Sequence, residues 1–113
     1  LFDAMALDLH KLRKLVSLDE NDPLSRFALG KKLFELAEND AMLSEAADHL
    51  RFANRNAPDH LASYHFLAQT LMRIGRTDEA REVLNEGIKK SAAFAHGMGR
   101  DLGPAMEAML AQI

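Results

Sequence analysis

The stretch LASYHFLAQTLMRIGRTDEAREVLNEGIKKSA, residues 61–92, decides the fold. Leu61, Tyr64, Leu67, Ala68 and Leu71 recur at three-four spacing, the period of one helix face. Gly75 follows and suits the left-handed position that ends a helix. Thr77 then offers a side-chain cap for a second helix. Ala80, Val83, Leu84 and Ile88 again fall on one face. Two helices joined by a tight turn therefore pack against each other, antiparallel.

A degenerate copy of the same unit occupies residues 23–58. Leu29 and Gly30 take the places of Leu67 and Ala68, and Leu33 that of Leu71. Ala46, Leu50 and Ala53 take those of Ala80, Leu84 and Gly87. Four residues are inserted between Phe34 and Ala46. They either lengthen a helix by a turn or bulge the turn between helices. Repeats of this length stack into helical solenoids.

Outward from the repeats, the rest of the chain is also helical. The first helix covers about residues 3–18, with Met5, Leu9, Leu12 and Val16 on one stripe. Asp22 and Pro23 form the N-cap and first position of the second helix, which runs to about Glu38. Asp40 or Ser44 caps the third helix, and Ala46, Ala47, Leu50 and Ala53 form its inner face. Asn56 and Pro58 stop it. Asp59 caps the fourth helix, and the fifth runs on to about His96. Gly97, Gly99 and Gly103 loosen the chain before Pro104 starts a short last helix to Ile113. Met106, Met109, Leu110 and Ile113 are its apolar face. Either that helix folds back on the fifth or it meets another chain. No alternating run of β-branched residues and no Asn-Gly or Asp-Gly turn occurs, so the reading is all-α.

The pattern resembles the tetratricopeptide repeat. That family places a large-small pair and a further large residue on its first helix, then small, large and small residues on its second. The small residues let two antiparallel rods touch, and the large ones fill the space beside them. The string GRTDEAREVLNEGI, Gly75 to Ile88, is especially like a second helix of such repeats. Two departures stand out: Arg26 lies where a large apolar residue belongs, with Phe27 beside it, and Ala92 replaces the family proline. The resemblance implies a right-handed superhelix of antiparallel helix pairs. It also implies one domain over residues 1–113, with an N-terminal helix about 3–18, repeats at 23–58 and 61–92, and a C-terminal helix about 104–113.

The same resemblance implies a non-catalytic module that binds a protein or peptide in a concave groove lined by the first helix of each pair. The corresponding positions are Leu24, Phe27, Lys31, Phe34 and Glu35, then Ala62, His65, Phe66, Gln69, Met72 and Arg73. The site expected to bind a peptide is Phe27, Lys31, Phe34, His65, Phe66, Gln69, Met72 and Arg73. Apolar anchors among a few polar groups suit an amphipathic helix or an extended apolar peptide. The family's carboxylate clamp is not matched, because Phe27 and Lys31 stand where it wants Lys and Asn. Phe27, Phe34 and Phe66 also read as core residues, above all if the N-terminal helix lies across the groove. The expectation is that Phe34, Gln69, Met72 and Arg73 keep part of their surface open. A second possibility is self-association, a homodimer built through the Met-rich C-terminal helix.

Composition narrows the other classes. The chain has 113 residues, of which 48% are hydrophobic and 27% charged, enough apolar material for one core. Against 14 basic residues stand 17 acidic ones, for a net charge of −3, so no global positive field favours nucleic acid. Cysteine is absent, which removes disulfides and thiolate metal sites and is compatible with a cytoplasmic location. Charges interrupt every apolar stretch, so neither a membrane span nor a signal-peptide core is expected. Leu1 is not an initiator Met, which leaves room for residues upstream.

No two of the five histidines, His10, His49, His60, His65 and His96, sit three or four apart, so no metal site is expected. The glycines of Gly97 to Gly103 lack the strand before them and the Lys-Ser or Lys-Thr after them that a phosphate loop needs. Arg51 and Arg55 share a helix face that reads as solvated. No nucleophile elbow or paired catalytic carboxylates appear, so neither an enzyme nor a cofactor is expected.

Overall fold

The computed structural model describes residues 4–94 and 98–113, with the side chains of 4–7, 98 and 99 excepted. Its six helices are α1 (Ala4–Leu18), α2 (Pro23–Leu36), α3 (Asp40–Asn56), α4 (Leu61–Ile74), α5 (Thr77–Ala92) and α6 (Met98–Leu110). No strand occurs among the described residues, and the fold is an all-α helical repeat. The fifth helix does not run on to about His96: it ends at Ala92, where the Ala93 amide turns back to the Lys90 carbonyl oxygen. The expected loosening at Gly97 lies outside the described residues.

The helix ends follow local chemistry. Asp22 accepts from the Leu24 amide at 3.2 Å and from the Ser25 hydroxyl at 2.6 Å, and Pro23 fills the first helical position. Gly75 adopts φ +93°, and the Arg76 amide returns to the Leu71 carbonyl at 2.8 Å, closing α4. Three expected caps differ. Asn39, rather than Asp40 or Ser44, caps α3 by accepting from the Met42 amide at 2.9 Å. His60 and Arg76 take the cap positions of α4 and α5, and neither provides a side-chain hydrogen bond there. Asp59 and Thr77 have the right chemistry but stand one residue off register.

The inserted residues mostly lengthen a helix. α2 ends six residues past Gly30, as α4 ends six past Ala68. The turn is residues 37–39 in the first repeat and 75–76 in the second. Ala46 is the seventh residue of α3, whereas Ala80 is the fourth of α5. One of the four residues therefore enters the turn and three extend α3 at its N-terminus.

Packing is ordered along the chain. Each helix lies on the next, and α4 also touches α2 and α6. Ala68 and Ala80 are fully buried where α4 meets α5, with Leu67, Leu71 and Leu84 around them. Gly30, Ala46 and Leu50 form the matching junction of α2 and α3. A methyl group on Gly87 would stand 2.8 Å from the Tyr64 Cβ, the second close approach between paired helices. The Asn54 amide donates to the Ser63 hydroxyl at 3.2 Å, and the Tyr64 hydroxyl donates to the Pro58 carbonyl at 2.7 Å, fixing the α3–α4 corner.

α6 is longer than expected and belongs to the repeat pattern. It begins at Met98, so Gly99 and Gly103 lie within it, and Pro104 sits inside the helix. Pro104 cannot donate to the carbonyl four residues back, and this side of the helix faces water, where the loss is tolerated. Leu102, Gly103 and Met106 echo Leu67, Ala68 and Leu71. Gly103 backs onto Ser91 of α5, and Met106 is fully buried in the main core. Met109, Leu110 and Ile113 are half-buried against the same core. The Met-rich face is thus turned into the chain's own interior.

At the other end, α1 packs along α2. Val16 is buried with Leu29, Leu33 and Ala46. Arg13 donates both terminal nitrogens to Glu45 of α3, at 2.6 and 3.0 Å. Among the described residues α1 makes no packing contact with α4, and it runs along α2 instead of across the face between α2 and α4.

Candidate functional site

The first helices of the pairs, α2 and α4, lie side by side, with α6 as the third in the row. Successive turns of α2 and α4 send an aromatic or long side chain to the face they share. Phe27 of α2 and Phe66 of α4 meet edge to face, with ring centroids 5.8 Å apart. Phe34, two turns along α2, meets the other side of Phe66 at 6.0 Å, again edge to face. Such contacts are the favoured geometry of aromatic pairs. All three phenylalanines are half-buried. They pack against the core on one side and keep surface on the other.

Polar groups surround this aromatic row. The Lys31 ammonium lies 5.2 Å above the Phe66 ring and 4.0 Å from Glu35. The His65 ring packs edge-on to Phe66 at 5.5 Å, and the His60 ring meets Phe27 at 4.5 Å. Burial pushes both imidazoles below the usual histidine range, and the Nδ1 of each has no hydrogen-bond partner. The Arg73 guanidinium lies 5.1 Å over the Phe34 ring and donates to the Phe34 carbonyl oxygen at 3.2 Å.

Beyond Phe34 the face deepens into a pocket of about 300 Å³ lined by Phe34, Gln69, Met72, Arg73, Met109 and Gln112. Phe34, Gln69 and Met72 are half-buried and Arg73 is exposed. The structure thus brings Phe34, Gln69, Met72 and Arg73 together and joins them to Phe27, Lys31, His65 and Phe66 along one face. Leu24 is 59% exposed, whereas Ala62 is buried and offers no groove surface, a correction to the family-derived set. Met109 and Gln112 were missed by the sequence reading. The signal was the Leu102-Gly103 pair, which repeats Leu67-Ala68 and marks α6 as another first helix.

A second concavity, about 380 Å³, lies along α3 between Asp48, Arg51, Phe52, Arg55 and Asn56. Arg26 stacks on Phe52 at 4.3 Å, and Arg51 reaches Glu79 at 3.6 Å. Both charge signs line it. Nearby, His49 Nδ1 accepts from Arg26 at 2.9 Å while its Nε2 donates to Glu45 at 3.2 Å. Burial chiefly lowers the His49 pKa. Arg26 and Arg13 lower it further, and Glu45 opposes them. Among the described residues no group of three or more His, Cys, Asp or Glu side chains could hold a metal ion. No helix among them is long and apolar enough to cross a membrane.

Comparison with known proteins agrees with this architecture. Residues 42–96 match the family model described as tetratricopeptide repeat. Proteins built from this repeat generally mediate protein–protein interaction and are typically non-catalytic. Over 80 residues the chain is also 35% identical to a Xaa-Pro dipeptidase of Shewanella amazonensis, which covers 68% of this chain and 18% of that relative. The chain therefore spans less than a fifth of the relative's length, and the likeness does not carry the peptidase activity with it.

Proposed function

We propose that this chain, a tetratricopeptide repeat protein, is a non-catalytic interaction module of one domain over residues 1–113. It binds a peptide or helical segment of a partner protein on the face shared by α2, α4 and α6. Phe27, Phe34, Phe66 and Met72 supply apolar contact, and Lys31, His65, Gln69 and Arg73 supply polar contact. The observation that carries the reading is the pocket at Phe34, Gln69, Met72 and Arg73. It continues an aromatic row that a covered core would have no reason to leave half-exposed. Mixed apolar and polar side chains on a rigid helical face suit segments that dock by a few anchors.

Self-association through α6 has weaker support, because Met106 and its apolar neighbours pack inward. Among the described residues no feature favours nucleic acid, a membrane or a cofactor as the ligand.

Site-specific photo-crosslinking in the native cell tests the proposal. A benzophenone side chain at position 69 should capture a partner protein. The same group at position 82, on the outer side of α5, should not. Equal capture from both positions, or capture from position 82 alone, contradicts it.

A further inference from the structure

We infer that the pocket selects a partner segment in which a large apolar side chain is followed or preceded by a carboxylate. This rests on the groove reading and adds the chemistry of its occupant. Phe34, Met72 and Met109 supply the apolar walls of a space of about 300 Å³, the small end of ligand pockets and enough for one or two side chains. Methionine walls adjust to the shape of the side chain that enters. Gln69 and Gln112 also line the pocket. Each amide both donates and accepts, which matches the needs of a peptide backbone.

The charge preference comes from Arg73. Its guanidinium is held by the Phe34 ring and the Phe34 carbonyl oxygen. Neither contact neutralises it, and no carboxylate among the described residues lies within salt-bridge distance. Arginine has five N–H donors in a planar fork, so one bond to a carbonyl leaves others for a ligand. A cation fixed before binding loses little freedom when a carboxylate arrives. Lys31 adds a second positive charge on the same face, and its nearest acid, Glu35, is shared with Lys32 at 3.4 Å. Positive charge beside an apolar pocket excludes a basic segment as well as favouring an acidic one.

The test uses the full chain with carbon-13 methyl-labelled methionine and three short synthetic peptides. One has a central leucine flanked by glutamates, the second the same leucine flanked by lysines, and the third a central serine flanked by glutamates. The glutamate–leucine peptide should shift the Met72 and Met109 methyl signals and leave Met42, which packs near α1, in place. It should bind roughly two- to fivefold more tightly than the lysine–leucine peptide, the range of one exposed ion pair. That gap should close at about 0.5 M NaCl, where exposed charges are screened. Arg73→Gln should also close it, and Arg73→Glu should reverse it, with melting temperatures showing that both variants fold. Equal or tighter binding of the lysine–leucine peptide overturns the inference and leaves the groove reading standing. So does binding of the serine peptide as tightly as the glutamate–leucine one. Failure of every peptide to move Met72 or Met109 also overturns it. The groove reading itself is tested separately, by crosslinking from position 69 against position 82.

Discussion

Gly30 in α2 lies so close to Leu50 in α3 that a methyl group on it would stand 2.8 Å from the Leu50 Cγ. The same methyl would be 3.1 Å from the Ala46 carbonyl oxygen. The obstacles are a branched carbon and a backbone atom, which cannot swing aside. Gly30→Ala gains up to about 1 kcal/mol of helix propensity but overpacks the junction at a cost of about 1–3 kcal/mol. The expected result is a lower denaturation midpoint. Gly103→Ala is the milder comparison: its methyl would stand 2.8 Å from the Ser91 hydroxyl oxygen, a side-chain atom that yields only by giving up its hydrogen bond to the Ile88 carbonyl oxygen. Chemical denaturation should find that variant less destabilised than Gly30→Ala.

Ala68 and Ala80 are both fully buried between α4 and α5. Ala68→Leu or Ala80→Leu forces these helices apart and should destabilise the chain by about 1–3 kcal/mol or more. Near-wild-type melting of both variants would mean the contact is not where the structure has it.

The pattern of small and large residues made the helix pairs legible in the sequence, because close-packed rods constrain residue size at fixed intervals. The end of the chain was harder. Pro104 reads as a helix start, and the glycines before it read as a break, yet Gly99 and Gly103 lie inside α6. Glycine at 103 serves the approach of α6 to Ser91, a tertiary reason that local propensity does not carry. Phe34 and Phe66 posed the opposite difficulty. Helical spacing shows that they share a face, but whether that face is covered depends on where α1 lies. The Arg13–Glu45 fork and Val16 draw α1 along α2, a contact of residues about 30 apart that no local pattern announces.

α1 is the least secured helix. Leu15 and Leu18 are exposed, at 47% and 76%, and Val16 is its one fully described buried side chain. Its amides should exchange with solvent faster than those of α4, whose inner face is buried throughout. Glu45→Gln removes one charge of an exposed pair, so global stability should change by less than about 1 kcal/mol. Exchange in α1 should nevertheless rise. Mass-spectrometric exchange showing α1 as protected as α4 would contradict this.

Acid should destabilise the chain in two stages. Burial holds His49, His60 and His65 below the ordinary histidine value of 6.5. As pH falls below 6.5, the unfolded chain takes up protons that the folded chain does not. Stability is therefore full above that value and declines as pH falls through the depressed folded values. Glu45, lowered chiefly by its hydrogen bonds from Arg13, contributes stability that is present above 4.5 and lost as pH falls through its folded pKa. Denaturation midpoints measured from pH 7 to 5 should fall, and His49→Gln should flatten part of that slope. A slope of opposite sign would contradict the placement of these imidazoles.

The central claim is that partners bind where α2, α4 and α6 meet. The most direct measurement is the affinity of a crosslinked partner, once purified, for wild type and for a Phe34→Ser, Met72→Ser, Arg73→Ala triple variant of matched helicity. These residues form the walls of the pocket, so affinity should drop by about tenfold or more. Equal affinity of the two proteins would place the binding surface elsewhere on the chain.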